Sequence, residues 1–229
     1  MVEAQDVARL RRLVYIRLPI ALLILLAVWL VTAGTTRYWQ AWLVASTFLI
    51  LLLAVASYFL LGDKEFLLRR TQFHEKEAAQ RRVARSWGAL SIGAMVLPAL
   101  DVRLGWSPVP TEACLIGYML MLAGYPSVLW VFRTNRYASR IVEVQPGQTI
   151  ISTGTYAVIR HPMYSSQLVM FPALMVALGS WLSAALSLLV VIPLIVMRIR
   201  NEEKVLRRDL AGYCDYCART KYRLIPGVW

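Results

Sequence analysis

Only three cysteines and two histidines occur among the 229 residues, which restricts the disulfide and metal chemistry open to this chain. Three cysteines do not make a disulfide framework, and Cys114 lies inside an apolar stretch. Cys214 and Cys217 form a CxxC pair, a pattern also found in metal and redox sites. A zinc site would need four ligands, and no second Cys or His pair stands nearby. We therefore interpret the pair as reduced cytosolic thiols and expect no metal.

The sequence also lacks internal repeats and low-complexity tracts, and long stretches of it are nearly free of charge. Hydrophobic residues make up 59% of the chain, against about 45–50% in soluble proteins. A spanning helix needs about 20 mostly apolar residues, because a rise of 1.5 Å per residue then crosses a hydrocarbon core of about 30 Å. We therefore predict an all-α fold, a multi-pass membrane helix bundle. Its six spans cover residues 14–33, 38–61, 86–104, 112–132, 163–179 and 181–198.

Acidic residues are scarce beside basic ones, 13 against 25, which gives a net charge of +12. Such a charge would suit a nucleic-acid-binding protein, but the basic residues are not gathered into one soluble domain. They lie almost entirely in alternate loops and near the termini, and only Arg37 and Arg103 fall on the other side of the predicted membrane. The positive-inside rule then places both termini in the cytoplasm. We expect an integral, multi-pass protein of the cytoplasmic or inner membrane that has no nucleic-acid partner.

The first cytoplasmic loop, residues 62–85, has the pattern of an amphipathic helix at the membrane interface. Phe66, Leu67, Leu68 and Phe73 form its apolar face, while charged residues form the other. His74 belongs to this loop, and we interpret it as a solvated surface residue. The remaining histidine therefore becomes the more informative of the two.

That histidine stands in "RHPMY", residues 160–164, directly before an apolar stretch. The preceding segment has β-branched residues on both sides of a Pro-Gly pair, which predicts an extended arm folded over a turn. Pro162 favours helix initiation, so His161 would be the N-cap. The free N–H groups of a helix start, together with Arg160, suit an anionic group such as a carboxylate.

A second polar cluster, Arg198 with Glu202 and Glu203, follows the last predicted span. Arg198 and Glu202 are four residues apart and share a helix face, which by itself is compatible with ordinary surface pairing. The last two spans are joined at Gly179 and Ser180, so they must run antiparallel. This hairpin should return the chain to the membrane face that it left and bring the two clusters side by side.

These motifs resemble the isoprenylcysteine carboxyl methyltransferase and phospholipid methyltransferase superfamily of integral membrane enzymes. The resemblance is carried by "GTYAVIRHPMY" at 154–164, by RxxxEE from Arg198 to Glu203, and by the ending "YCDYCARTKYRLIPGVW". It implies a methyltransferase core at residues 112–229 with a pocket for S-adenosylmethionine. Residues 1–111, the first spans with the amphipathic loop, would form a separate N-terminal region.

The resemblance also assigns roles to individual residues. The catalytic pair would be Arg198 and Glu202, placed near the reacting group. The cofactor-binding residues would be Gly154, Tyr156, Arg160, His161, Tyr164 and Glu203.

The methyl acceptor stays open between two chemical classes. A carboxylate would be oriented by Arg198, which Glu202 holds in place, whereas an amine would use Glu202 to remove its proton. The acceptor would be a lipid or a lipophilic small molecule, and the sequence does not indicate an oligomeric state. Two alternatives remain: a membrane reductase of the sterol reductase type using NADPH, although no GxGxxG pattern is present, and a non-enzymatic transporter or scaffold.

Overall fold

The structure, a computed structural model, describes residues 4–70, 93, 96–138 and 142–229. Throughout these ranges the regular secondary structure is helical, and no β-strand occurs in them. A π-helical turn, Leu13–Arg17, joins the first two helices into one continuous rod. The helices are α1 (Ala4–Arg12), α2 (Leu18–Ala33), α3 (Trp39–Gly62), α4 (Lys64–Arg70), α5 (96–104), α6 (Thr111–Thr134), α7 (Pro162–Ala177), α8 (Trp181–Asp209) and α9 (Tyr213–Arg219).

Four helical rods in the described ranges are long and apolar enough to cross a membrane: Gln5–Ala33, Trp39–Gly62, Thr111–Thr134 and Trp181–Asp209. They correspond to the first, second, fourth and sixth predicted spans. The predicted fifth span is helix α7, whose 16 residues extend about 24 Å, less than the hydrocarbon core. Much of the predicted third span, 86–104, lies outside the described residues. The all-helical membrane fold is confirmed, and the count of six spans stays a prediction.

The start of the predicted amphipathic loop is helix α4, which packs against protein. Phe66 and Leu67 are buried, and the Phe66 ring lies 4.6 Å from that of Phe59 and 5.5 Å from that of Phe132. The apolar face of α4 therefore faces α3 and α6. Residues 71–85, with Phe73 and His74, lie outside the described part of the chain.

Two glycines on one face of α6 let it approach α7 closely. A Cβ atom at Gly117 would lie 2.9 Å from the carbonyl oxygen of Ala173, and one at Gly124 would lie 2.2 Å from Met170 Cγ. Small residues are the usual means by which spanning helices bring their backbones together. The position of α7 is therefore fixed along its length by α6.

The turn between α7 and α8 is short and firmly capped. Gly179 has φ +87°, a conformation that few residues other than glycine adopt. Ser180 is the N-cap of α8 and accepts a hydrogen bond from the Ser183 amide at 2.9 Å. The buried Asp101 accepts hydrogen bonds from the hydroxyls of Ser180 and Ser107, which ties the turn to the end of α5. The predicted hairpin is thus present, and α8 returns to the end of the bundle where α7 begins.

Candidate active site

The site begins at the start of α7, where His161 is the N-cap and Pro162 is the first helical residue, as the sequence predicted. The backbone here is held by the segment that follows α9. The amide of Arg160 donates to the Tyr222 carbonyl at 2.9 Å, and the amide of His161 donates to the Arg223 carbonyl at 3.0 Å. The motif is therefore fixed by a remote part of the chain as well as by its own helix.

Arg160 and Glu203 are in direct contact, although 43 residues separate them in the sequence. Arg160 Nε donates to Glu203 Oε1 at 2.9 Å, and Arg160 Nη1 donates to the Thr220 carbonyl at 2.8 Å. Both side chains are buried. The two polar clusters therefore meet at one end of the hairpin, as the sequence predicted.

A chain of side-chain contacts links the start of α7 to α8. Arg198 Nε donates to the Tyr164 hydroxyl at 3.1 Å, and this hydroxyl donates to Glu202 Oε2 at 2.7 Å. The imidazole of His161 lies between two carboxylates, with Nδ1 3.9 Å from Glu202 Oε1 and Nε2 3.4 Å from Glu203 Oε1. Four of the predicted site residues are thus coupled through the Tyr164 hydroxyl and the Glu202 carboxylate.

These groups open onto a cleft that encloses about 910 Å³ of empty space, including the part open to solvent. Polar and apolar side chains both line the cleft. The predicted site residues that line the cleft are Tyr156, Arg160, His161, Tyr164, Arg198 and Glu202.

Glu203 does not line this cleft but lies behind it. Its Oε1 atom accepts from Arg160, and its Oε2 atom accepts from Arg223 Nε at 3.1 Å and Nη2 at 3.0 Å. The side chain is only 4% exposed. The carboxylate is therefore already satisfied by cationic groups of the protein, which favours a role in holding Arg160 and His161 over contact with a ligand.

Gly154 also lies outside the cleft lining, although the resemblance assigned it to cofactor binding. Its φ of +61° favours glycine, and a Cβ atom there would lie 2.2 Å from Cη2 of Trp130. The position thus lets the indole of α6 pack against the backbone of the 3₁₀ turn Gly154–Ala157. Gly154 therefore permits this close packing beside the cleft but does not line the cleft itself.

Tyr156 lines the cleft with a neutral hydroxyl. Burial raises the pKa of Tyr156 to about 12, although the hydrogen bond from Asn135 opposes this shift. Asn135 Nδ2 donates to the Tyr156 hydroxyl at 3.0 Å, and the Tyr216 hydroxyl donates to the Tyr156 carbonyl at 2.7 Å. Tyr156 is therefore fixed from α6 and α9 and is suited to hydrogen bonding, not to proton transfer near neutral pH.

Residues 142–151 form an arm that closes one side of the cleft, a role that the sequence did not predict. The expected turn at Pro146 and Gly147 is present, since the Gln148 amide donates to the Gln145 carbonyl at 3.0 Å. The arm does not pair as strands; instead Tyr137 anchors it by donating from its hydroxyl to the Gly147 carbonyl at 3.0 Å. The arm residues that line the cleft are Val142, Glu143, Gln148, Thr149, Ile150 and Ile151.

Other lining residues were also missed because they come from elements far apart in the sequence. Asn135 and Tyr137 follow α6, Leu206 lies in the last turn of α8 and Leu210 directly follows it, and Tyr213 and Tyr216 belong to α9. The aromatic residues around the CxxC pair were the only available signal. They are tyrosines whose spacing places them on one face of a short helix.

Comparison with known proteins agrees with this architecture. Residues 113–211 match the family model of phospholipid methyltransferases. The fold resembles that of the eukaryotic intramembrane Ras methyltransferase ICMT (isoprenylcysteine carboxyl methyltransferase), with a TM-score of 0.56 and 19% sequence identity. The likeness covers 90% of this chain and 74% of that one. Residues 113–211 are thus similar in sequence to phospholipid methyltransferases, and the chain resembles an isoprenylcysteine carboxyl methyltransferase in fold.

Proposed function

We propose that this membrane methyltransferase uses S-adenosylmethionine to methylate a lipophilic acceptor at the cytoplasmic face of the membrane. The proposal rests on the cleft into which both the start of α7 and the polar end of α8 contribute side chains. The family match favours methyl transfer over nicotinamide-dependent reduction, and the clustering of polar groups at one end of the bundle disfavours an ion path.

The lining of the cleft suits the chemical parts of S-adenosylmethionine. Its carboxylate would bind at the α7 start, where Arg160 supplies a positive charge and the His161 ring a hydrogen-bonding group. Its ammonium would lie near the carboxylates of Glu202 and Glu143, which both line the cleft. The adenine ring would pack between apolar residues of the arm and of α8, namely Ile150, Ile151, Leu206 and Leu210.

S-adenosylmethionine supplies a methyl group on a positively charged sulfur, from which an acceptor displaces it directly in an in-line reaction. The protein therefore needs mainly to align the acceptor and to remove water from it. The apolar residues that line the cleft would serve the second requirement. Alignment would come from Arg198 and Glu202, whose relative position is set by the Tyr164 hydroxyl between them.

The role of this pair depends on the acceptor. Arg198 would orient a carboxylate by a charge-assisted hydrogen bond, and Tyr164 would then hold the guanidinium while donating to Glu202. With an amine acceptor, Glu202 would take the proton that the nitrogen releases. With either acceptor, Arg160 and His161 would bind the cofactor carboxylate, and Glu203 would hold them in place.

The direct test is methyl transfer from labelled S-adenosylmethionine by the purified protein in liposomes made from a total lipid extract. Mass spectrometry of the labelled product would identify it as a methyl ester or a methylated amine. We expect label in a lipophilic product with the wild type and a loss of at least 100-fold with Arg198→Met. If no label appeared in the lipids and the protein bound NADPH, the proposal would be contradicted and a reductase favoured.

A further inference from the structure

The segment that follows α9, residues 220–229, lies beyond the region matched by the family model but holds the back of the cleft. Its carbonyl groups at Thr220, Tyr222 and Arg223 accept hydrogen bonds from Arg160 and His161 at 2.8–3.0 Å. A further carbonyl, that of Leu224, accepts from Ser165 Oγ at 2.8 Å. One short irregular segment thus contacts the first turn of α7 at several successive residues.

Arg223 adds a side-chain connection to these backbone contacts. Its guanidinium donates twice to Glu203 Oε2, at 3.1 and 3.0 Å, and lies 5.1 Å from the ring centre of Trp229. The amides of Arg223, Leu224 and Ile225 all donate to the Trp229 carbonyl, at 2.8–3.3 Å, which closes this segment into a tight loop. The guanidinium is therefore held on both sides.

The charges around Glu203 explain how the position of Arg223 affects the cleft. Glu203 carries one negative charge between the guanidinium groups of Arg160 and Arg223, and it also contacts His161. Removing one partner of a buried ion pair leaves the other charge uncompensated or free to move. Without Arg223, Glu203 Oε2 would lose both of its charged donors, and the Glu203 carboxylate would no longer be held from both sides.

We propose that Arg223 is a positioning residue for the cofactor: acting through Glu203, it holds Arg160 and His161 in the arrangement that receives the carboxylate of S-adenosylmethionine. The inference rests on the proposed function for its ligand. It differs from a merely structural role because the effect is directed at Arg160 and His161, the two cleft residues that contact Glu203.

Three variants separate these roles: Arg223→Met, which removes the charge at similar length; Arg223→Lys, which keeps the charge but loses the two-pronged contact; and Lys221→Met, a matched control on an exposed side chain of the same segment. Calorimetry with S-adenosylhomocysteine, using the full chain in detergent, gives the affinity. We expect Arg223→Met to weaken binding about tenfold or more, as loss of charge-assisted hydrogen bonds would. Arg223→Lys should lie between it and the wild type, and Lys221→Met should match the wild type.

Two further readouts test the route through Glu203. In a double-mutant cycle with Glu203→Gln, the combined loss of affinity should be smaller than the sum of the single losses, because both substitutions disrupt one contact. Hydrogen exchange at the amides of residues 160 and 161 should be faster in Arg223→Met than in Lys221→Met. Cofactor KM should rise while kcat changes less than about threefold, because Arg223 does not touch the reacting groups.

The possible failures point to different errors. If the wild type binds no S-adenosylhomocysteine, the proposed function is wrong. If the wild type binds and Arg223→Met binds equally well, even with lower thermal stability, the role of Arg223 as a positioning residue is wrong. Should Arg223→Met fail to fold, Arg223→Lys decides the matter: wild-type affinity together with wild-type exchange at residues 160 and 161 would overturn the inference.

Discussion

Two adjacent acidic residues at the end of α8 have different surroundings and therefore different expected roles. Glu202 lines the cleft with a side chain that is 26% exposed and accepts a hydrogen bond from Tyr164. Glu203, about 100° around the helix, is buried and bound to Arg160 and Arg223. The helix thus directs one carboxylate into the cleft and its neighbour toward buried groups of the protein.

This difference predicts that the two Glu→Gln substitutions affect different properties, stability for Glu203 and turnover for Glu202. Glu203→Gln should lower the free energy of unfolding by about 3 kcal/mol, because it leaves the buried guanidinium charge of Arg160 uncompensated. Glu202→Gln should change stability by less than about 1 kcal/mol, since its carboxylate is partly solvated, but should reduce turnover at least tenfold. Thermal unfolding in detergent and methyl-transfer kinetics provide the two measurements. Equal losses of stability would contradict the assignment.

The hydroxyl of Tyr164 is predicted to couple Arg198 to Glu202. Tyr164→Phe keeps the ring and its packing but removes the acceptor of Arg198 and the donor to Glu202. We expect kcat to fall about tenfold with a smaller change in the KM of the cofactor, because the acceptor would lose alignment. Steady-state kinetics with each substrate varied in turn would show this. A loss confined to cofactor KM would place Tyr164 on the cofactor side instead.

Local rules predicted the residues whose roles depend on their neighbours in sequence. Pro162 and His161 form the helix start because proline and cap preferences act within a few residues. The role of Glu203 was not predictable in this way, since its partner Arg223 lies 20 residues further on in irregular chain. Only the path of that segment through space brings the two together.

The elements that set the site are the hairpin of α7 and α8 and the helix α6 packed against it. Gly117 is the least adjustable point of this packing, because two of the three atoms nearest to a Cβ built there are backbone atoms of Ala173 and Ala177, at 2.9 and 3.0 Å. Backbone cannot swing aside as a flexible side chain can. The separation of α6 and α7 is therefore sensitive to one methyl group at this position.

We predict that Gly117→Ala lowers the free energy of unfolding by about 1–3 kcal/mol through overpacking. Gly62→Ala is the matched control, because a Cβ atom at Gly62 meets nothing within 4 Å. That substitution should be neutral or slightly stabilising, since alanine favours helices. Thermal unfolding of both variants in the same detergent gives the comparison. A neutral Gly117→Ala would show that α6 and α7 are further apart than described.

Sequence patterns predicted the helices and their connections better than they predicted the path of segments without regular secondary structure. The hairpin followed from two apolar stretches with only Gly179 and Ser180 between them, because so short a connection permits only antiparallel helices. The arm at 142–151 was recognised as a turn flanked by extended chain, but its direction depends on Tyr137 and Gln145, which bind across the turn. No periodicity in the sequence encodes such contacts.

At the scale of the whole molecule, the chain is a membrane-embedded helix bundle, and the polar residues of the candidate site lie at one end of it. The ends of α6 and α8 and the start of α7 all contribute to the same cleft. The distribution of basic residues predicts that this end faces the cytoplasm. Both the cofactor and the termini would then be on the cytoplasmic side.

The native cysteines permit a test of this orientation without mutation. Cys214, in α9 beyond the last span, is exposed, whereas Cys114 is buried within α6. A membrane-impermeant maleimide should therefore label inside-out vesicles at Cys214 and leave right-side-out vesicles unlabelled. Detergent-solubilised protein serves as the positive control. Labelling of intact right-side-out vesicles alone would reverse the predicted topology.

Composition was sufficient to predict an all-helical membrane protein, because a long apolar segment in lipid must satisfy its backbone hydrogen bonds within a helix. It was not sufficient to count the spans. Helix α7 is apolar like its neighbours but has only 16 residues, and hydropathy does not reveal where its polar cap at His161 lies relative to the membrane. The depth of the site in the bilayer depends on this helix.

The central claim is that the start of α7 and the end of α8 form one binding site for S-adenosylmethionine. An electron cryomicroscopy structure of the protein with S-adenosylhomocysteine would test this claim most directly. We expect ligand in the cleft, with its carboxylate near Arg160 and His161, its sulfur toward Arg198 and Glu202, and the contact between Arg160 and Glu203 intact. Ligand bound elsewhere, or bound to Glu203 in place of Arg160 and Arg223, would contradict it.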